Sequence, residues 1–291
     1  MRLRLTGFHV RRYLWALLIA VCLIVPGWVA VRAYRQAALD DALIRAVKTN
    51  NLVEVNAYLK GGANVNSRIG GHPSSADGIA GWLKWLAARK HRSGPTLLLS
   101  AVSDPMSDPS IAESLVKHGA DVRSEDEWGN SALDLVLVNF APGKAPLARV
   151  LLENGSSPVG KHVNALTMAM VIDDVDIARL ALDRGASPNT PNVLVGAVNL
   201  GFDRFVELLL SRGADANLPS ADGDRPLTVA CRREMDTLQV FQMSKRVRLN
   251  IVKLLLKSGA RPDLNDRAGR NAIDYAIARG DQNLLTILRQ H

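Results

Sequence analysis

The hydrophobic positions of this chain recur as pairs of short helical stripes. In one such pair the apolar residues of each helix fall at i, i+3 and i+4, namely Leu194, Ala197 and Val198, then Phe205, Leu208 and Leu209. This spacing places the apolar side chains on one face of each helix. Seven such pairs can be traced along the sequence. The pattern therefore predicts an all-α protein built from internal repeats, which bury their apolar faces by stacking.

Six of the seven pairs end in the same way, with a glycine followed by two small or polar residues. The glycines are Gly62, Gly119, Gly155, Gly185, Gly213 and Gly259. A glycine at this point suits a left-handed helix cap, where a side chain would clash with the backbone. We therefore expect a positive φ at each of these positions.

The repeat length and the sequence motifs point to a known family. Two pairs of successive repeat starts lie 33 residues apart, Gly129 to His162 and Thr190 to Gly223, and this is the ankyrin period. The segment Gly223-Asp-Arg-Pro-Leu-Thr resembles the Gly-x-Thr-Pro-Leu-His opening of ankyrin repeats, and Val206-Glu-Leu-Leu-Leu-Ser-Arg-Gly-Ala-Asp resembles their second helix. The resemblance covers roughly residues 37–291. It implies an ankyrin-repeat solenoid of about seven helix-turn-helix repeats.

The chain departs from the family at the last position of that opening. This position holds Asp134, Thr228 and Asp274 in three repeats and histidine in none. In the family the histidine stitches the helix-opening turn by side-chain hydrogen bonds. We therefore expect packing to hold most of these turns here.

Two insertions interrupt the array. The first adds 22 residues within the segment 69–93, where the spacing predicts a short amphipathic helix. Its apolar stripe suits a cap on the first repeats, whereas Lys84 and Arg89 add positive charge and Trp85 lies off the stripe, which suits contact with a partner or with anionic lipid. The second adds 13 residues at about 232–247 and predicts lengthened helices, either supporting the core or forming a ledge for a partner.

The resemblance implies that the loops between repeats project as fingers. The most distinctive tip contains Glu125, Asp126, Glu127 and Trp128. A tryptophan among acidic residues at an exposed turn suits a binding hot spot, although folding of Trp128 onto the next hairpin accounts for the same sequence. Asp222 ends another full-length finger and completes the candidate partner-binding residues.

The first 36 residues differ from the rest of the chain. Residues 13–31 form a run of nineteen without a charge, roughly 28 Å as a helix and close to the thickness of bilayer hydrocarbon. Four arginines precede it in a basic tail over 1–12, so the positive-inside bias predicts a single-pass anchor in the inner membrane with a cytoplasmic N-terminus. The repeats then lie in the periplasm if the chain is bacterial. A cleaved signal peptide ending at Ala33 is the alternative.

The same segment accounts for the positive charge of the chain. Six of the 36 basic residues lie within positions 1–35, which contain no acidic residue, and the remaining 30 face 28 acidic residues, a net charge of +2. The formal charge of +8 therefore comes mainly from the residues that flank the predicted membrane span, and it does not favour nucleic-acid binding.

Motifs for catalysis or cofactor binding are absent from the sequence. There is no glycine-rich phosphate loop, no Gly-x-Ser-x-Gly and no His-Glu-x-x-His, which are common signatures of such sites. His72 and His91 share the first insertion, but two histidines without a third ligand are a weak metal signal. Cys22 lies in the apolar segment, so the repeats have the single thiol of Cys231 and no disulfide. We expect no enzyme activity, no metal and no cofactor.

Function is expected from the resemblance, because ankyrin arrays bind other proteins through finger tips and the inner helical face. The first hypothesis is a membrane-anchored module, monomeric in its repeat domain, that holds or inhibits another protein in the periplasm. One alternative is an immunity-type inhibitor of a toxin acting in that compartment. Another is a metal-dependent or stress-related enzyme accessory that uses His72 and His91. The fold alone does not name the partner.

Overall fold

Seven pairs of helices follow one another along the described part of the chain. The computed structural model describes residues 28–29, 31–70, 94–138, 144–161, 163–232 and 245–290. The predicted basic tail, most of the predicted span 13–31, most of the first insertion and residues 233–244 of the second lie outside them. The chain divides into a first unit, Met1–Trp128, and a second unit, Gly129–His291.

The first unit contains two helix pairs and the second contains five. In the first unit, helix α1 covers 31–48, α2 Leu52–Lys60, α3 Leu97–Ser103 and α4 Pro109–Lys117. In the second unit the helices are α5 Ala132–Val138, α6 Ala145–Glu153, α7 Ala165–Val171, α8 Val175–Asp183, α9 Val193–Leu200, α10 Asp203–Ser211, α11 Pro226–Arg232, α12 Lys245–Lys257, α13 Ala272–Ala278 and α14 Gln282–Arg289. The β-structure of the described residues consists of isolated bridges.

The helices of each unit form two layers. In the second unit the first helices of successive pairs, α7, α9, α11 and α13, pack side by side, and the second helices α6, α8, α10, α12 and α14 do the same. In the first unit α2 packs against α4. Within each unit, a repeat thus covers the apolar face of its neighbour, as the sequence pattern predicts.

The core consists of the residues that the periodicity selects. The stripe residues Phe205 and Leu209 of α10 and Val198 of α9 have no exposed surface. One small residue of every first helix is buried as well, in the series Ala46, Ala101, Val136, Ala169, Ala197, Ala230 and Ala276. Small side chains at this position let neighbouring backbones approach closely.

All six predicted closing glycines have a positive φ, between 84° and 94°, so this prediction is confirmed. At the end of α10 the N–H of Ala214 donates to the carbonyl of Leu209 at 3.0 Å, and Gly213 donates to Leu210 at 3.1 Å. These bonds satisfy carbonyls that the helix itself leaves unpaired at its end.

At three of the helix-opening turns, the residue at the histidine position of the family makes side-chain hydrogen bonds. Buried Asp134 accepts from the backbone N–H of Ser131 at 2.9 Å and from its hydroxyl at 2.7 Å. Thr228 accepts from the N–H of Arg225 and donates to its carbonyl, and Asp274 completes a capping box at the start of α13. The expectation that packing replaces these bonds is therefore wrong for these turns, because aspartate and threonine provide the required acceptors.

An asparagine four residues after the closing glycine joins one repeat to the next. The side-chain amide of Asn217 donates to the carbonyl of Gly259 at 2.9 Å and accepts from the N–H of Arg261 at 2.8 Å. Asn66 makes the same two contacts and Asn189 makes one of them. We call these contacts asparagine bridges. They satisfy backbone groups at the base of the following finger.

Helix α1 begins upstream of residue 37, the expected start of the repeats. Gln36 donates to the carbonyl of Gly62 at 3.0 Å, and Asp40 accepts from the N–H of Asn64 at 2.7 Å. These bonds tie α1 to the end of α2, where the first finger begins. Among the residues that the structure describes, no helix has both the length and the apolar character needed to cross a bilayer.

Candidate functional site

The acidic finger, residues 124–128, is fixed by hydrogen bonds at its base and at its tip. At the base the buried hydroxyls of Thr96 and Ser124 lie 3.1 Å apart, and Ser124 also donates to the carbonyl of Asp121 at 2.8 Å. At the tip a carboxylate oxygen of Asp126 accepts from the N–H of Trp128 at 2.9 Å, which is an Asx turn. The backbone that carries the acidic side chains and the indole is therefore held at both ends.

The first insertion leaves and re-enters the array at one point, which we call the insertion stem. Arg68 and Thr96 form an antiparallel bridge, and the N–H of Ile69 donates to the carbonyl of Pro95 at 3.1 Å. The guanidinium of Arg68 donates to the carbonyl of Gly94 at 2.9 Å. A Cβ on Gly94 would lie 2.0 Å from the carbonyl oxygen of Ile69, so this close approach requires glycine.

The insertion stem and the acidic finger line a groove of about 600 Å³ within the first unit. We call it the inner groove. It is lined by Arg68, Gly94, Pro95, Leu99, Ser103, Glu125, Asp126, Glu127 and Trp128. Since Leu99 belongs to α3, the groove combines a first helix with a finger tip. Its volume lies in the range of clefts that bind ligands in other proteins.

One wall of the inner groove is acidic. Glu125 and Glu127 are exposed and Asp126 is half-buried. Within the described part of the chain, neither glutamate forms an ion pair. Arg68 also lines the groove, but its guanidinium donates to the carbonyl of Gly94 and is not paired with either glutamate. The wall therefore presents negative charge to solvent.

Trp128 is the large apolar side chain of the groove, and 65% of its surface is exposed. The same groove is lined by Leu99, which is fully buried. A tryptophan ring that reaches solvent beside a depression is the usual anchor of a protein interface, because it buries a large area with little loss of conformational freedom.

The other predicted site residues do not join this groove. Trp85, Lys84 and Arg89 lie outside the described residues. Asp222 is exposed in the second unit, in a finger turn closed by the bond from the N–H of Ser220 to the carbonyl of Asp224. Sequence reasoning missed Arg68 as a lining residue. The sequence feature that could have identified Arg68 is its position at the edge of the first insertion.

A second groove, of about 1110 Å³, lies in the second unit. We call it the outer groove, because the second helices α6, α8 and α10 contribute most of its charged residues. Its charged residues include Arg149, Asp173, Asp176, Arg179, Arg204 and Glu207. The sequence pattern did not indicate it, since its side chains come from three successive repeats.

Charges of both signs meet in the outer groove. The guanidinium of Arg149 lies 3.8 Å from Asp174 and 3.6 Å from Asp176. Burial raises the pKa of Asp173 above its ordinary value, and the neighbouring carboxylates of Asp203 and Asp174 raise it further. Because these opposite charges largely neutralise one another, the outer groove attracts a charged partner more weakly than the inner groove does.

A hydrogen-bonded cluster lies between α11 and α13, at the start of the second insertion. Arg232 donates to both carboxylate oxygens of Asp224 at 2.8 Å, and Tyr275 donates to Asp266 at 2.8 Å. The bonds from Arg232 hold the pKa of Asp224 below its ordinary value. Burial and then the bond to Asp266 raise the pKa of Tyr275. We call this arrangement the Tyr275 cluster.

The described residues contain no group of three or more His, Cys, Asp and Glu side chains arranged to hold a metal. His118 lies with Nδ1 2.8 Å from the carbonyl of Ser114, while His72 and His91 lie outside the described residues. Burial raises the pKa of the Cys231 thiol to about 12. A thiol with this pKa is a poor nucleophile at neutral pH.

Sequence comparison connects the chain to proteins built from the same repeat. A family profile described as "Ankyrin repeats (3 copies)" matches residues 194–291. Cyclin-dependent kinase inhibitor 2A of Homo sapiens is 33% identical over 121 residues, which cover 40% of this chain and 69% of that protein. The match therefore spans about two thirds of that relative.

Longer relatives match over a smaller share of their length. Phosphocholine transferase AnkX of Legionella pneumophila is 24% identical over 183 residues, covering 59% of this chain but 19% of AnkX. The chain thus spans less than a quarter of the long curated relatives that it matches. Among solved structures, the ankyrin repeat domain of Bcl-3 superposes with a TM-score of 0.51 at 23% identity, covering 85% of this chain and 97% of that one. This structure shares the fold.

Proposed function

The chain belongs to the ankyrin-repeat family, and from this premise we propose that it binds another protein through the inner groove of its first unit. Ankyrin repeats are scaffolds for protein–protein interaction, and arrays of this kind build extended surfaces. The observation that carries the proposal is the indole of Trp128, exposed over 65% of its surface beside an acidic wall.

The chemistry of the inner groove favours a partner segment with lysine or arginine. The acidic wall formed by Glu125, Asp126 and Glu127 attracts such side chains, and charge complementarity of this kind sets specificity and association rate. The face of the Trp128 ring adds a second attraction for the same cations. Because hydrogen bonds fix the finger backbone before binding, little conformational entropy is lost on association.

We also propose that residues 13–31 anchor the chain in the inner membrane, with the N-terminus in the cytoplasm and the repeats in the periplasm. The nineteen uncharged residues and the four preceding arginines support this placement. Helix α1 supports retention of the segment over cleavage. It includes residues 31–33, so a cut after Ala33 would divide a helix of the first repeat.

Trp128→Ala tests the groove. In a pull-down from solubilised membranes with the full-length chain, this variant should lose the bound protein. Its affinity for the identified partner should fall by about 1–4 kcal/mol, the range for an interfacial aromatic anchor. Stability should stay within about 0.5 kcal/mol, as for exposed substitutions. Met106→Ala is the matched control, because Met106 is 85% exposed in the same unit outside the groove. Equal recovery of the partner by both variants would contradict the proposal.

Reporter fusions test the anchor. An enzyme that is active only in the periplasm should be active when fused after His291, and the chain should stay in the membrane fraction after a salt wash. Activity of a cytoplasm-only reporter at this position would contradict the orientation. A soluble product beginning at Tyr34 would show cleavage.

A further inference from the structure

We infer that the finger-side edge of the first unit lies against the lipid headgroups of the membrane, an orientation that rests on the proposed anchor. The finger-side edge is the end of the first helix pair at which α2 stops at Lys60 and the first finger begins. The opposite end, at which α1 stops at residue 48, then points away from the bilayer.

Hydrogen bonds define which part of α1 belongs to the repeat and which part extends beyond it. The bonds from Gln36 to Gly62 and from Asn64 to Asp40 mark the level of the finger-side edge. Residues 28–29 and 31–35 are helical upstream of this level. At about 1.5 Å per residue, Val31 lies roughly 8 Å beyond Gln36 along the helix. We call the described residues 28–29 and 31–35 the collar.

The apolar side chains of the collar point to several sides of the helix. Trp28 is 61% exposed, Val29 and Val31 are 52% exposed, and Tyr34 is 43% exposed. At about 100° per residue, these four positions are spread around the helix circumference. A single protein surface covers one side of a helix, whereas exposed apolar residues on several sides favour a surrounding apolar medium. Lipid is such a medium.

The polar groups of the collar match the boundary between lipid tails and headgroups. Tryptophan and tyrosine concentrate at this boundary, and arginine side chains extend from it towards the phosphates. The guanidinium of Arg32 lies 5.4 Å from the centre of the Trp28 ring, and Arg35 is exposed on the same helix. The collar contains no acidic residue. The first one downstream, Asp40, is buried and bonded to Asn64.

Helix α1 transmits the orientation to the repeats. It is helical throughout 31–48, so no flexible linker separates the collar from the first repeat. From Gln36 to residue 48 the helix rises about 18 Å, which exceeds the roughly 5–8 Å of headgroup layer on each side of a bilayer. The two ends of the first helix pair should therefore differ measurably in their distance from lipid.

Two lysines provide a matched pair of positions for the experiment. Lys60 lies at the finger-side edge and Lys48 at the opposite end, and both are exposed. The full-length chain, with Cys22 and Cys231 replaced by alanine, is reconstituted into phosphatidylcholine vesicles as Lys60→Cys or Lys48→Cys with the same fluorophore. Phosphatidylcholine with a nitroxide on its choline group then quenches fluorophores near the headgroups.

We expect quenching of the label at position 60 to be several-fold stronger than at position 48. Inserting a flexible Gly-Ser linker between Ala33 and Tyr34 should remove this contrast while the chain still floats with the vesicles. Equal quenching at the two positions, or stronger quenching at position 48, would overturn the orientation. So would a contrast that survives the linker. A chain that does not float with the vesicles would overturn the proposed anchor, and the orientation with it.

Discussion

Removing one hydroxyl from the Tyr275 cluster, by Tyr275→Phe, should destabilise the last repeat. The hydroxyl donates to Asp266 at 2.8 Å, and the Asp266 side chain has no exposed surface. Tyr275 itself is 7% exposed. Phenylalanine fills the same volume, so the change removes the polar contacts of the hydroxyl, with Asp266 first and with Arg232, and leaves the packing intact.

The size of the stability loss depends on the hydrogen bonds that the Asp266 carboxylate retains in the variant. A hydrogen bond to a charged group contributes about 1.5–3 kcal/mol, and a buried acceptor left without a partner costs about as much. In the variant the other oxygen of Asp266 still accepts from the N–H of Ala268 at 2.8 Å and of Arg270 at 3.2 Å, and Arg232 remains 3.8 Å away. Since most of the charge stays compensated, we expect a loss at the lower end, about 1.5–2 kcal/mol.

The assay must report on the last repeat, because repeat arrays open locally from their ends. Hydrogen exchange of the α13 and α14 amides in the full-length chain measures this local free energy. Tyr58→Phe is the control, since Tyr58 is half-buried and its hydroxyl has no hydrogen bond within the described residues. It should change stability by less than about 0.5 kcal/mol. Protection of α13 and α14 that is unchanged in Tyr275→Phe would refute the reasoning.

Two further predictions concern the second unit. Gly213 has a φ of 84°, and no atom lies within 4 Å of the position of a Cβ, so Gly213→Val should lose about 1–2 kcal/mol from backbone strain. Gly213→Asn should lose less in urea unfolding, and equal losses would contradict this cause. The pKa of Asp224 is lower in the folded chain, so its pairing with Arg232 stabilises the fold above the unfolded pKa of about 3.9 and is lost as pH falls through the folded value. Arg232→Gln should therefore lower stability at pH 7 and flatten the decline towards pH 3, whereas an unchanged acid profile would argue against the pair.

The repeat architecture could be predicted because its determinants are local. A closing glycine such as Gly213 and a small residue such as Ala197 lie at fixed distances from the stripes that they complete. The finger tip at Glu125–Trp128 was predictable for the same reason, since the types of a few consecutive residues determine a turn.

The rest of the site depends on contacts between segments that are distant in the sequence. Arg68 reaches the inner groove because its backbone pairs with Thr96. Gly94 is required there by the carbonyl of Ile69, which no periodicity reveals. The outer groove likewise collects side chains from three helices, and no single repeat contains its pattern. The contact roles of Trp85, Lys84 and Arg89 stay predictions.

The insertion stem makes the first insertion a site that tolerates changes in length. Its two ends already meet at the Arg68–Thr96 bridge, so lengthening the chain between them adds little to the entropy of loop closure. Each doubling of a flexible loop costs only about 0.6 kcal/mol in closure entropy. The segment between Gly70 and Gly94 is therefore a suitable insertion site for an epitope, a sensor or a foreign binding loop beside the inner groove, provided that Gly94 is retained.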